Sequence, residues 1–135
     1  MLSKGDEIPD GEFLFRYIDP EAIPKGQQEV PEGIFNDRDL SCDWERIQQS
    51  PETSFHVGHG KTRIVIIEVC DEIRNPRNPK RAQQAQPAWQ QQIIYDPIED
   101  DPDFGPNPAH SLIRGLKRLH VRVALATHST WRDLV

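Results

Sequence analysis

The apolar residues of this chain gather in a few short runs separated by polar, proline-rich stretches. The densest run is Arg63–Cys70, in which Ile64, Val65, Ile66, Ile67 and Val69 are all β-branched. Its unbroken character predicts a strand buried on both faces, at the centre of a sheet. In EFLFRYIDP (Glu12–Pro20) the pattern alternates instead. Phe13, Phe15 and Tyr17 share one face of a strand, Leu14, Arg16 and Ile18 the other, and Asp19-Pro20 ends it. Gln91–Tyr95 predicts a third strand, closed by Asp96-Pro97. Leu119–Ala126 predicts a fourth, with Val121, Val123 and Leu125 on one face and His120, Arg122 and Ala124 on the other.

Helix signals fall between these runs. Ser41 is an N-cap type ahead of Cys42–Gln49, with Asp43 and Glu45 in the first turn, where the helix dipole favours acids. Trp44 and Ile47 lie three apart and can share a buried stripe. SPET (Ser50–Thr53) predicts one further turn. Asn107-Pro108 reads as cap and first position of a helix that carries His110, Ser111 and Leu112 and ends at Gly115. A last short helix is expected near Thr130–Leu134. Prolines and glycines make residues 21–36 an irregular loop, and residues 75–90 a mobile loop or insertion. After a polar lead-in at residues 1–11, the expectation is one small α+β domain over 12–135. It has a mostly antiparallel sheet, two or three short helices and long loops.

Composition narrows the picture. Only 36% of the 135 residues are hydrophobic and 12 are proline, so the core is small and partners have room to add stability. The net charge of −6 hides an asymmetry. Residues 1–60 hold 13 acids against 5 Lys/Arg, and residues 61–135 hold 9 acids against 11. The total speaks against a general nucleic-acid coat, which works by neutralising phosphates, while the second half keeps a basic face open to nucleic acid or nucleotide. Neither a membrane span nor a secretory leader is legible, and Cys42 and Cys70 read as reduced thiols; the expected location is cytoplasmic. The acids of Asp96–Asp103 do not follow a calcium loop and read as a solvated loop.

The chemistry worth testing sits in SFHVGHGK (Ser54–Lys61). His56 and His59 have a spacing that suits a metal only on a helix, which Gly58 and Gly60 discourage; no metal or cofactor is called for. The glycines also let backbone N–H groups approach an anion, Lys61 adds charge, and His110 supplies a second proton carrier. Two histidines and a cation are the equipment of a metal-independent nuclease or phosphate-ester enzyme, provided His56 or His59 comes close to His110. The alternative is that these are turn and cap residues. Candidate binding residues are Arg16, placed among apolar neighbours, and Arg77, Lys80, Arg81 and Trp89 of the 75–90 segment, together with Arg114 and Lys117. Trp89 is a plausible anchor for a protein partner. For nucleophilic catalysis Cys42 and Ser111 are the candidates, and neither sits in a recognisable elbow.

Two resemblances accompany these residues. FLFR (Phe13–Arg16) followed by Leu40-Ser41 resembles ADP-ribosyltransferase-like, NAD-using folds, in which an arginine and a strand-borne serine hold the dinucleotide. Ser41 as a helix cap and the lack of a late Glu-x-Glu depart from that layout, and Asp133 is no convincing replacement. LFR, LSCDW and NPAHSLIRGLK together resemble small uncharacterised bacterial proteins, which implies one compact prokaryotic domain. The first functional expectation is a small binding or accessory module in a larger bacterial assembly, the second the nuclease or phosphate-ester enzyme, the third an NAD-using enzyme.

Overall fold

The computed structural model describes residues 2–23, 29–58, 60–77, 89–102 and 105–133. Lys80, Arg81 and His59 therefore lie outside the described residues, as does most of the 75–90 segment. Six strands, β1 (Phe13–Ile18), β2 (Asp39–Trp44), β3 (Arg63–Glu68), β4 (Gln92–Tyr95), β5 (His110–Arg114) and β6 (Ser129–Asp133), form one sheet in the order β4-β5-β2-β1-β3-β6. Every pairing is antiparallel. Three short helices accompany it, α1 (Phe55–Gly58), α2 (Asp71–Arg74) and α3 (Leu119–Thr127). The α+β expectation with a mostly antiparallel sheet holds. Among the described residues no helix is long and apolar enough to cross a membrane.

The strands alternate as their side chains require. Leu14 and Ile18 of β1, Leu40, Cys42 and Trp44 of β2, Val65 and Ile67 of β3 and Ile113 of β5 point into the main core. That face is closed by α3 and by the turns carrying Val30 and Phe35. The opposite face carries a smaller cluster of Phe15, Tyr17 and Ile64, with Val57 of α1 against it. β3 lies between β1 and β6, a position its β-branched run predicts.

Four assignments from local signals change. Ser41 caps no helix, because Leu40, Cys42 and Trp44 alternate with Ser41 and Asp43 along β2; Ile47 and Gln48 only turn back onto the Trp44 carbonyl. His110–Arg114 is a strand, and Asn107 uses its cap-like chemistry for a turn, its Oδ1 accepting from the Ala109 N–H at 3.3 Å. Leu119–Thr127 is a helix, since Val121 and Leu125, four apart, are buried while Val123 is exposed. The last segment is β6, aligned on the apolar β3, not a helix. In addition, the polar lead-in runs along β4: Gly5 N–H donates to Tyr95 at 2.7 Å and Ile8 N–H to Ile93 at 2.9 Å, with Ile8 fully buried.

The ladders differ in length, and this difference positions the site. β1 pairs with β3 along six positions, from Phe13↔Glu68 to Ile18↔Arg63. β2 pairs with β5 along five, from Asp39↔Arg114 to Asp43↔His110. Between β1 and β2 only Leu14↔Trp44 and Phe15↔Asp43 face each other. The sheet is thus two half-sheets, β4-β5-β2 and β1-β3-β6, joined at one end and parting beyond Phe15 and Asp43.

A tight approach elsewhere is testable. A Cβ on Gly115 would come within 2.6 Å of the Gln91 side chain and 2.7 Å of the Gln90 carbonyl. Gly115→Ala is expected to lower stability by about 2 kcal/mol, an ordinary overpacking cost, measured by urea unfolding.

Candidate functional site

Where β1 and β2 part, Arg16 spans the gap. Its Nη1 donates to the Ser41 carbonyl at 3.1 Å, and its Nη2 meets Asp37 at 3.2 Å. The guanidinium stands where a ladder hydrogen bond from β1 would otherwise reach Ser41. Its Nε is buried, with no hydrogen-bond partner among the described residues. Arg16 is therefore an interior-strand residue, not an arginine on a sheet edge. A cleft of about 580 Å³ lies along the free end of β1, with Arg16, Tyr17 and Lys61 among its polar lining and Ile23 and Ile34 among its apolar lining.

The stretch HVGHGK forms a helix stop. Gly60 has φ of +88°, its N–H donates to the Val57 carbonyl at 3.1 Å, and the Lys61 N–H donates to the His56 carbonyl at 3.0 Å. This is the paired closure of a Schellman motif, with glycine at the left-handed position. The amides expected to cradle an anion are thus committed to α1 itself. What remains is the placement: α1 lays the His56 ring on Tyr17, centroids 4.6 Å apart and planes 18° apart. Lys61 is carried to the exposed mouth of the cleft.

Beneath His56 lies a buried polar group. Asp43 is 1% exposed, accepting from Asn107 Nδ2 at 2.9 Å and facing the Ser54 hydroxyl at 3.5 Å. Tyr17 is 7% exposed, and its hydroxyl lies against Ser54 and Asp43 without completing a hydrogen bond to either. Burial, and after it the Asp43 charge, push this phenol well above the usual tyrosine range. Burial likewise holds His56 below the ordinary histidine value; the Asp43 charge opposes this, while Lys61, His110 and Arg16 reinforce it. His56, Lys61 and His110 thus share one electrostatic neighbourhood.

His110 is oriented from both sides. On β5 it is the direct partner of Asp43 and the diagonal neighbour of Ser41. Its Nδ1 lies 2.8 Å from the Asp96 carbonyl and 3.2 Å from Asp96 Oδ2, and its Nε2 lies 3.2 Å from Ser41 Oγ. Ser41 is exposed. Sequence reading names this serine through the Leu40-Ser41 resemblance but misses it as a partner of His110, because its cap chemistry outweighs the alternation of LSCDW.

The other candidates are placed elsewhere. Lys117, expected as countercharge, is buried and donates to the carbonyls of Arg38, Ile113 and Gly115 at 2.9–3.1 Å. Arg114 pairs with Asp39 at 2.9 Å. Arg74 is tied to Glu7, Asp10 and the Ile8 carbonyl, and Arg122 to Glu32, so much of the basic second half neutralises acids of the first. Trp89 packs against the main core with its ring edge on His120, at 4.3 Å between centroids, and Arg77 is exposed. Cys42 is buried and its thiol is pushed up to about 12; Ser111 is buried and donates to the Ala109 carbonyl. Neither is a nucleophile at neutral pH. Among the described residues no cluster of His, Cys, Asp and Glu is arranged to hold a metal.

Compared with known proteins, the chain matches no family model, no curated protein and no solved structure.

The Tyr17 environment yields a pH prediction. A phenol that keeps its proton in the fold, but loses it in the unfolded chain near pH 10, makes stability fall as pH rises through about 10. Ultraviolet titration of tyrosinate should show Tyr17 ionising only as the fold opens, and Tyr17→Phe should remove that step and flatten the alkaline loss of stability.

Proposed function

We propose that the protein binds a phosphorylated nucleotide in the cleft at the free end of β1, and that an NAD-type dinucleotide is the first class to test. The observation that carries this reading is the parting of β1 from β2 with Arg16 across it. That parting sets a guanidinium, held on the Ser41 carbonyl and Asp37 and with its buried Nε unpartnered among the described residues, beside a cleft whose mouth carries Lys61. Paired cations, one a planar fork and one a mobile point charge, suit a diphosphate, and apolar Ile23 and Ile34 suit a base or ribose face. The placement of Ser41 in β2, next to the Arg16 strand, also supports the resemblance to ADP-ribosyltransferase-like folds, because it removes one of the two departures. The other stands. Asp37 is bonded to Arg16, and Asp43 is buried and bonded, so the reading is first one of binding and only then of NAD cleavage.

Calorimetric titration with NAD and ADP-ribose tests it. Lys61→Ala, at an exposed position, is expected to weaken binding about tenfold to a hundredfold, the loss of one charge-assisted phosphate contact. Arg16→Ala is expected to weaken it at least as much. Release of nicotinamide from NAD would add the enzymatic activity. Absence of binding by either nucleotide at millimolar concentration would overturn the proposal and return attention to the accessory-module reading, in which a macromolecular partner covers the domain.

A second reading is favoured by a separate observation. His56 is stacked on Tyr17 and held below the ordinary histidine value chiefly by burial, which favours the neutral base that a phosphate-ester enzyme requires. Against it, both ring nitrogens of His110 already have protein partners. Cleavage of a 2′,3′-cyclic nucleotide, lost in His56→Ala, would distinguish it.

A further inference from the structure

We propose that Ser41 is an activated nucleophile, with His110 as its general base and Asp96 as the group that positions that base, acting on carboxylic ester substrates. The inference gives the Ser41 hydroxyl a role as nucleophile that the nucleotide reading does not assign to it, and its test carries no nucleotide.

The argument begins with the tautomer of His110. Both groups that face its Nδ1, the Asp96 carbonyl at 2.8 Å and Asp96 Oδ2 at 3.2 Å, can only accept a hydrogen bond. The ring proton of neutral His110 therefore resides on Nδ1, and Nε2 presents its lone pair. That lone pair faces Ser41 Oγ at 3.2 Å, within the reach expected of a nucleophile and its base. The order is thus acid, histidine, serine, each member fixed by a different strand. Asp96 directly follows β4 and is held by its own N–H on the His110 carbonyl at 2.9 Å, His110 opens β5, and Ser41 sits in β2. A site assembled on strands is stiffer than one on loops.

Access agrees with the geometry. Ser41 is exposed, whereas the His110 side chain is only 12% exposed, so an electrophile reaches the hydroxyl while the base is shielded from bulk water. Arg16 donates to the backbone carbonyl of the same serine and so helps fix it in place, its own charge being paired with Asp37. The core-facing nucleophile candidates, Cys42 and Ser111, lie on the other face of the same strands.

The step balances without a cofactor. Ser41 Oγ forms a bond to the ester carbonyl carbon as its proton passes to His110 Nε2. The tetrahedral adduct then breaks its bond to the alcohol oxygen, which takes that proton and leaves. Water attacks the acyl–Ser41 ester, gives one proton to Nε2, and releases the carboxylic acid as Oγ recovers its proton.

Diisopropyl fluorophosphate, which carries no nucleotide, tests the assignment on the full chain. Attack by Ser41 forms an O–P bond and expels fluoride, leaving a stable adduct read by intact mass and peptide mapping. One adduct on the peptide containing Ser41 is expected, absent in Ser41→Ala and in wild type unfolded by urea. His110→Ala is expected to label about a hundredfold more slowly, the scale of a general base. Asp96→Ala should label less slowly than that, because the backbone carbonyl that accepts from Nδ1 remains. No adduct on the folded chain, an adduct at another residue, equal labelling of Ser41→Ala, or equal rates in folded and urea-unfolded protein would each overturn the proposal. The comparison with unfolded wild type decides even if His110→Ala does not fold.

Discussion

The short seam between β1 and β2 is the constraint on which the site depends. Two register pairs hold the strands together, and the remaining backbone of each has no ladder partner in the other. Backbone polar groups left without partners are costly, so a parting sheet needs substitutes. Arg16 supplies one by donating to the Ser41 carbonyl, and in doing so places its charge in the opening. The same parting turns the end of β1 into a cleft wall and leaves Ser41 accessible beside His110.

The face of the sheet that carries these groups is energetically unlike the main core. On one side, Leu14, Trp44, Ile67, Ile113 and Leu125 pack in one apolar cluster, and the buried Ser111 hydroxyl is bonded to a backbone carbonyl. On the other, Asp43 is buried with Asn107 and Ser54 as partners, beside a tyrosine whose hydroxyl completes no hydrogen bond among the described residues. A buried carboxylate with no bonded cation among the described residues is an expensive arrangement in a chain with so modest a core. Proteins retain such groups where the field they create is used, and the groups that feel it here are Tyr17 and His56.

Much of the sheet was legible in the sequence where the side-chain pattern was itself strong. β1 and β3 announce themselves by clean alternation and by an unbroken β-branched run, and the facing of Tyr17 and Arg16 followed directly. Where a local signal competed with tertiary context, the context prevailed. Ser41 and Asn107 carry true capping chemistry, yet Ser41 sits in a strand and Asn107 closes a turn. The alternation in LHVRVALA was overridden by the spacing of Val121 and Leu125, which suits a helix laid across the core. The candidate site was legible only in part. His56, Lys61 and His110 drew attention by residue type, whereas Ser41, Asp43 and Asp96 acquire meaning only once three strands are set side by side. The binding role expected of Lys117 could not survive folding, because three carbonyls at one loop need its ammonium.

The N-terminal residues along β4 bear on how copies of this chain can meet. A sheet has two margins at which a further strand can add, and at one of them Gly5–Ile8 already occupy donors and acceptors of β4. Among the described residues, β6 forms the other margin with no strand beyond it. Growth of a filament by strand addition needs a free margin at both ends of each unit. With β4 covered along Gly5–Ile8, the described residues leave β6 as the margin open to a second copy, and a β6-to-β6 contact is of the two-fold kind that closes at a pair.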